Sequence, residues 1–254
     1  MNVRPKRDLG QHFLTDPNIL AVAGRLAGLS PEDVILEVGA GLGVLTTYLA
    51  DRAAHVHAVE LDRSLEPALR GALGERRNVD LVFGDALTLP LHELDPPPGK
   101  LVANLPYGVA TPVVVESLDG LPTVGLWVVM VQREVAARFF AEPGTKSYGA
   151  VSVLIRLTAE RTGFHPVSRT VFHPSPNVDS ALVAFRRTRA WGEEYAWLKR
   201  VVQAAFSHRR KTLANALALA GLDPGRLGPA RIDPRARAET LSPGDFVRLA
   251  EALA

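Results

Sequence analysis

A chain of 254 residues that is 47% hydrophobic has apolar material for one substantial core, or for a large domain and a small one. It has no cysteine, which excludes disulfides and thiolate metal sites and fits a reducing compartment. The formal net charge is only +2, but residues 1–185 carry 16 Lys+Arg against 20 Asp+Glu and residues 186–254 carry 13 against 7, so a basic C-terminal module follows a slightly acidic one. Nucleic acid is the usual partner of such a module, and a solvated helical surface is the alternative. The N-terminus, MNVRPKRDLGQHFL, is basic but has no apolar stretch behind it, so it does not read as a signal peptide. The longest plainly apolar run, Val124 to Val131, is far short of the roughly 20 residues of a membrane span. A soluble, cytoplasmic, monomeric protein is expected.

The first two-thirds of the chain alternates. Ile19 to Leu29 reads as a helix, with Asp16-Pro17 as its cap and first turn. Val34 to Val38 is a short apolar strand, followed by a glycine-rich turn and a helix from Leu45 to Ala53. His55 to Glu60 reads as a strand, Ser64 to Leu73 as a helix, Asp80 to Phe83 and Leu101 to Ala103 as strands, and Pro112 to Leu118 as a helix. Val124 to Val131 is a buried strand and Arg133 to Phe140 a helix. Alternation at this spacing predicts a parallel sheet covered on both faces, a Rossmann-like doubly wound α/β fold. Val151 to Leu157 and Ala181 to Phe185 read as strands with no helix between them, an antiparallel addition at the sheet's edge. From about Thr188 the strand signals stop. Glu193 to Phe206, Arg210 to Leu219 and Pro243 to Leu253 have helical periodicity, separated by a Gly/Pro-rich turn region. Two domains are expected, a catalytic one over 1–187 and a small all-α one over 188–254.

Glu37-Val-Gly-Ala-Gly-Leu-Gly43 follows a strand and opens a helix. Gly39, Gly41 and Gly43 allow a tight turn and close approach of a ligand. Glu60 ends the next strand, 21 residues after Gly39, where an acid accepts hydrogen bonds from both hydroxyls of a ribose. Asp85 follows the third strand, in position to meet the exocyclic amine of an adenine. These features suit NAD as well as S-adenosylmethionine. The glycines are spaced GxGxG rather than GxGxxG, however, and Glu37 would repel a diphosphate while suiting an ammonium or an ordered water. The balance tilts to the methyl donor.

Asn104-Leu105-Pro106-Tyr107 ends the fourth strand, where ligands of doubly wound sheets bind. An adenine N6 amine is a poor nucleophile because its lone pair is delocalised into the ring. The Asn104 side-chain oxygen and the Pro106 carbonyl are positioned to accept its two hydrogens and turn the lone pair toward a methyl group. Tyr107 supplies a ring to stack on the base, as flipped or single-stranded bases require. A neutral amide is no general base, so catalysis by positioning is expected, the proton leaving to water. The plain alternative is a helix-entry turn.

NLPY in this place is similar to the (N/D)PPY-type motif of methyltransferases acting on exocyclic amines. GQHFL at 10–14, EVGAGLGVLT at 37–46, VELD at 59–62, GDAL at 84–87, QREVAAR at 132–138, FHPSPNVDSALV at 172–183 and SHRRKTLANAL at 207–217 resemble, in order, the ribosomal-RNA adenine N6-dimethyltransferases. NLPY with FHPSPNVDSALV looks more like the branch acting on the small-subunit (16S) RNA, which dimethylates two adjacent adenines near its 3′ end; naked RNA and an immature small subunit both remain open as substrate. The resemblance implies S-adenosylmethionine as cofactor; no metal is expected from the residues. It implies His12 and Leu14 at the cofactor's methionine end, Gly39 against the cofactor, and Asn104 touching both cofactor and acceptor amine. Phe172 would be the second aromatic wall of the base pocket, opposite Tyr107. Family members carry His or Asn at position 12, so its backbone counts for more than its imidazole. GTKSYG at 144–149 looks like a mobile loop over the RNA entrance.

Arg209, Arg210 and Lys211 form the densest basic cluster and are assigned to phosphate contacts. Arg4, Lys6 and Arg7 form a basic arm expected to order on RNA or cofactor binding. Seven histidines are scattered; His55 and His57 share a strand face, but nothing nearby completes a metal site. The competing functions are a 23S RNA adenine methyltransferase of the resistance type, a non-catalytic RNA-binding assembly factor, and, distantly, a dehydrogenase, which leaves NLPY without a role.

Overall fold

The computed structural model describes residues 5–6, 10–208 and 210–254. In chain order its elements are β1 (Phe13–Leu14), α1 (Pro17–Ala27), β2 (Val34–Val38), α2 (Val44–Ala50), β3 (His55–Glu60), α3 (Glu66–Leu73), β4 (Val79–Phe83), β5 (Lys100–Asn104) and α4 (Ala110–Gly120). There follow β6 (Leu126–Gln132), α5 (Arg133–Phe139), α6 (Ala150–Thr158), β7 (Ala159–Val167), β8 (Phe172–His173), β9 (Ser180–Arg187), α7 (Glu194–Phe206), α8 (Leu213–Leu219) and α9 (Pro243–Leu253). None of the described helices is long and apolar enough to cross a membrane.

The chain divides into two compact units, residues 1–136 with 161–187, and residues 137–160 with 188–254. Residues 137–160 group with the C-terminal helices, and residues 161–187 with the N-terminal part of the chain.

The first unit is built on a seven-stranded sheet in the order β4-β3-β2-β5-β6-β9-β7. Strands β4, β3, β2, β5 and β6 pair in parallel, and β9 joins β6 antiparallel, with Met130 opposite Leu182. The order runs outward from β2 in both directions, so the carboxyl ends of β2 and β5 meet at the topological switch point, where such sheets bind ligands. The strands read as near-continuous apolar runs because both faces are covered: Ile35, Leu36, Leu101, Val128 and Val129 are all buried. Helix α1 starts where Asp16 accepts from the Asn18 N–H, with Pro17 in the first turn, and ends at Gly28 in the left-handed region. A separate two-stranded ribbon, β1 with β8, pairs Leu14 with Phe172.

The second unit is helical, with α6, α7, α8 and α9 around Leu198, Val201, Leu217, Phe246 and Leu249, all buried. The expected strand over 151–157 is instead the helix α6. Its run, AVSVLIRLT, is mostly apolar and β-branched, which suits a strand, but Ser152 and Arg156 stand four positions apart, the spacing of one helix face. What starts the helix is polar: Ser152 Oγ accepts from the Gly149 N–H at 3.1 Å and donates to the Arg138 carbonyl at 2.6 Å. The expected helix over 210–219 begins three residues later, at Leu213, because Thr212 caps it.

Candidate active site

A cavity of about 400 Å³ opens at the carboxyl ends of β2, β3, β4 and β5. The glycine turn after β2 forms its floor. Gly39, Gly41 and Gly43 have φ of 85°, 58° and 80°, conformations that side chains disfavour. Gly39 also lies against the quartet after β5: a Cβ there would come within 3.2 Å of Pro106 Cδ and 3.4 Å of the Asn104 carbonyl. The missing side chain thus lets two loops, 65 residues apart in sequence, share one wall of the cavity.

Glu60, at the end of β3, is nearly buried in that cavity. Its Oε2 accepts from the Gly41 N–H and its Oε1 from the Asp62 N–H, each at 2.8 Å. Both oxygens are held by backbone and keep lone pairs for a diol. Asp85 is exposed at the cavity rim, where its Oδ1 accepts from the Leu87 N–H. Glu37, near the end of β2, is 1% exposed and its Oε2 has no hydrogen-bond partner among the described residues. Burial pushes its carboxyl up to about 8; Thr46 opposes this and the charge of Glu60 adds to it.

Two residues that the sequence reading passed over pin the cavity's edge. Asp62 Oδ1 accepts from Lys6 Nζ at 2.7 Å and Asp62 Oδ2 from Gln11 Nε2 at 2.9 Å. Burial would raise the Asp62 carboxyl, but these bonds and those from Ser64 hold it well below the usual range. The segment leading to His12 is therefore tied beside Glu60. Both residues lie inside stretches quoted for the resemblance, VELD and GQHFL, but their pairing spans 51 residues and leaves no local signal. Of the basic arm, Lys6 is thus held by Asp62, while Arg4 and Arg7 lie outside the described residues.

Asn104 ends β5, and its Nδ2 donates to the His12 carbonyl at 3.3 Å. That assigns the amide's orientation and leaves Oδ1 as the acceptor available to a ligand. The Pro106 carbonyl accepts from the Val109 N–H at 3.1 Å, so one of its two lone pairs is already used and one remains. Tyr107 bonds Ser180 Oγ through its hydroxyl at 2.7 Å, and its ring lies 5.5 Å from the His12 imidazole. Burial raises the Tyr107 hydroxyl above its ordinary value. His12 Nδ1 lies 2.7 Å from the Pro174 carbonyl, which can only accept, so that nitrogen carries the proton. Phe172 is 4% exposed and packs in the core, and it is not among the described residues that line the cavity. Leu14, His12, Gly39, Gly41, Glu60, Asp85, Asn104, Pro106 and Tyr107 all line it.

In the second unit, Arg210 and Lys211 are exposed in the turn between α7 and α8; Arg209 lies outside the described residues. The stretch 144–149 is not a free loop. Tyr148 is fully buried and donates its hydroxyl to the Leu241 carbonyl at 2.8 Å, and the Gly144 N–H donates to the Glu239 carbonyl at 2.7 Å.

A parallel sheet with this glycine turn, an anchored acid after the second parallel strand and an Asn-Leu-Pro-Tyr turn at the switch point defines an S-adenosylmethionine-dependent methyltransferase. The family model of the ribosomal RNA adenine dimethylases matches residues 2–254, and the chain belongs to that family. It is 47% identical to the ribosomal RNA small subunit methyltransferase A of Rubrobacter xylanophilus over 97% of this chain and 94% of that one. Against the protein of the same name from Thermobifida fusca it is 45% identical over 99% and 91%. Among solved structures it is similar to the 23S rRNA methyltransferase ErmE, with a TM-score of 0.66 and 29% identity over 95% of this chain and 99% of that one. A dimethyladenosine transferase from Plasmodium falciparum shares the fold, with a TM-score of 0.74 at 23% identity over 94% and 96%. The cofactor is S-adenosylmethionine, and the residues present fit it: a carboxylate fixed by two backbone N–H groups that can accept from a diol, a glycine turn without side chains, and a buried carboxyl with an oxygen unpartnered among the described residues.

Proposed function

We propose that this chain dimethylates N6 of two adjacent adenines near the 3′ end of 16S ribosomal RNA, in the cytoplasm, on immature small subunits. The observation that carries the reading is the Asn104 amide, tied through Nδ2 to the His12 carbonyl at the switch point with Oδ1 left to accept. The similarity of 40–47% to small-subunit methyltransferases supports the choice of RNA. The likeness to ErmE, at 29%, keeps a 23S adenine as the second reading.

When bound, S-adenosylmethionine supplies an electrophilic methyl group on a positively charged sulfur. Glu60 holds the ribose hydroxyls, Asp85 meets the adenine amine, and Gly39, His12 and Leu14 bound the methionine end. Asn104 Oδ1 and the remaining lone pair of the Pro106 carbonyl accept the two hydrogens of the acceptor N6 and turn its lone pair out of conjugation. Tyr107 stacks on the base, held by Ser180. Each transfer would form one N–C bond as the sulfur–methyl bond breaks, the sulfur leaving as a neutral thioether, and leave one proton to be lost from nitrogen. The neutral Asn104 amide cannot take it, so water does, and the chemistry rests on orientation and water exclusion. Phe172 serves as a second aromatic wall only if its ring leaves the core. Residues 188–254, with Arg209, Arg210 and Lys211, contact RNA phosphates.

The test is transfer of labelled methyl groups to small-subunit particles lacking the modification, with large-subunit RNA and the Asn104→Ala protein in parallel. N6-dimethyladenosine on the small-subunit RNA, lost in the variant, is the expected result. Label on the large-subunit RNA alone selects the second reading, and no label on either RNA overturns both.

A further inference from the structure

We propose that His55, His57 and Asp80 form a binding site for a divalent transition-metal ion, Zn²⁺ or a cation of similar softness, away from the cofactor cavity. His55 and His57 stand two positions apart on β3 and so share one face of the sheet. The strand register adds a third donor that sequence spacing does not reveal: Asp80 on β4 pairs directly with His57. One ligand atom from each of the three residues lies within 4.8 Å of the other two. Asp80 Oδ2 is 3.0 Å from His55 Nε2 and 3.7 Å from His57 Nδ1. Tetrahedral sites with bonds of about 2.0–2.2 Å have ligand–ligand edges of about 3.4 Å, which these separations bracket.

The decisive group is His57. Its side chain is 1% exposed. Its Nε2 lies 2.8 Å from the Pro96 carbonyl, which can only accept, so Nε2 carries the proton. Nδ1 is therefore the nitrogen with the lone pair, and it is buried with no hydrogen-bond partner among the described residues. A buried imidazole lacking a partner at one nitrogen is costly in an apolar core. The same arrangement, one ring N–H fixed on a backbone carbonyl and the other nitrogen free, is how ligating histidines are oriented. The two rings sit with centroids 4.5 Å apart, inclined at 59°. Asp80 is 56% exposed, so an ion has a route in and room for a water as fourth ligand.

Two imidazoles and one carboxylate favour Zn²⁺, Co²⁺, Ni²⁺ or Cu²⁺ over Mg²⁺ or Ca²⁺, which prefer all-oxygen shells. None of the three residues lines the cofactor cavity, and His57 and Glu60 lie on opposite faces of β3. The ion is structural: it fastens β3 to β4 and, through the His57–Pro96 bond, to the connection between β4 and β5.

The experiment is titration of the full chain, stripped with chelator, with ZnCl₂ followed by thermal unfolding, and with CoCl₂ followed by visible absorption. Expected are one ion per chain, a cobalt d–d band of the intensity of a tetrahedral site, and a Tm higher by about 5–10 °C at a hundredfold excess over Kd. The Tm increment and the band should vanish in His55→Ala and in Asp80→Ala, both partly or largely exposed positions whose replacement leaves the fold intact by circular dichroism. Methyl transfer at low temperature should be unchanged in both variants. Absence of a cobalt band and of a zinc-dependent Tm increment in the wild type overturns the proposal, as does binding that survives unchanged in both variants.

Discussion

The Asn104 side chain donates to the carbonyl of His12, 92 residues earlier in the chain, across 3.3 Å. This one bond decides which end of the amide is offered to a substrate. Asn104→Ala removes the acceptor and the tether together. Its methyl transfer should fall at least a hundredfold, about 2.7 kcal/mol of barrier, in kcat. Asn104 ends a strand and its side chain is only partly buried, so the fold should stand, with Tm within a few degrees of wild type. A variant that keeps more than a tenth of wild-type kcat would remove Asn104 from the reacting centre.

Glu60 makes a different prediction because it acts on the cofactor. Glu60→Gln removes the charge and turns an NH₂ toward either the Gly41 or the Asp62 N–H, both of which need an acceptor. The loss of a charge-assisted bond, about 1.5–3 kcal/mol, corresponds to roughly ten- to hundredfold weaker cofactor binding. Calorimetry with S-adenosylmethionine should show that loss while RNA affinity is kept. An unchanged cofactor Kd would separate Glu60 from the ribose.

How far the sequence carried these assignments depends on the range of each interaction. The alternation of strands and helices, the glycine turn, Glu60 and the Asn104 turn are local patterns, and each stands where its spacing predicts. Three kinds of feature were not legible. The run Ala150–Thr158 is short and rich in β-branched residues, which favours a strand reading, and its helical period shows only in Ser152 and Arg156 standing four positions apart. Strand β7 has three exposed polar residues in a row, Glu160 to Thr162, and a proline within it, as an edge strand allows, and gives no apolar alternation to read. The pairings that finish the molecule, Lys6 and Gln11 with Asp62, Tyr107 with Ser180, and Asp80 with His57, exist only after the sheet has set its register. Phe172 shows the limit in the other direction: its motif is legible, yet its ring packs in the core.

Tyr107 has two separable parts. Its hydroxyl bonds Ser180, which is fully buried, and its ring is assigned to the base. Tyr107→Phe leaves Ser180 Oγ without that partner and should cost about 1–3 kcal/mol of stability while keeping most of the transfer rate. Tyr107→Ala should lose the stacking surface as well and raise KM for RNA roughly tenfold or more. Urea unfolding and steady-state kinetics on the two variants check this. Equal kinetic loss in both would mean that the hydroxyl, not the ring, carries the function.

Glu37 gives a pH prediction with a definite sign. Its folded carboxyl is pushed up to about 8, from about 4.5 when exposed. Between those values the folded chain keeps a proton that the unfolded chain has released. Stability from this group is therefore complete below about 4.5 and is lost as pH rises through about 8. Glu37→Gln mimics the neutral form at every pH. Its stability relative to wild type should be near zero at the acid end, grow by a few kcal/mol up to about pH 8, and then level off. Denaturant unfolding of both proteins at half-unit steps from acid to alkaline pH, without cofactor, reads the difference directly. A gap that does not change with pH would mean that the buried carboxyl is already ionised in the folded protein, paired through a contact other than those at Thr46 and Glu60.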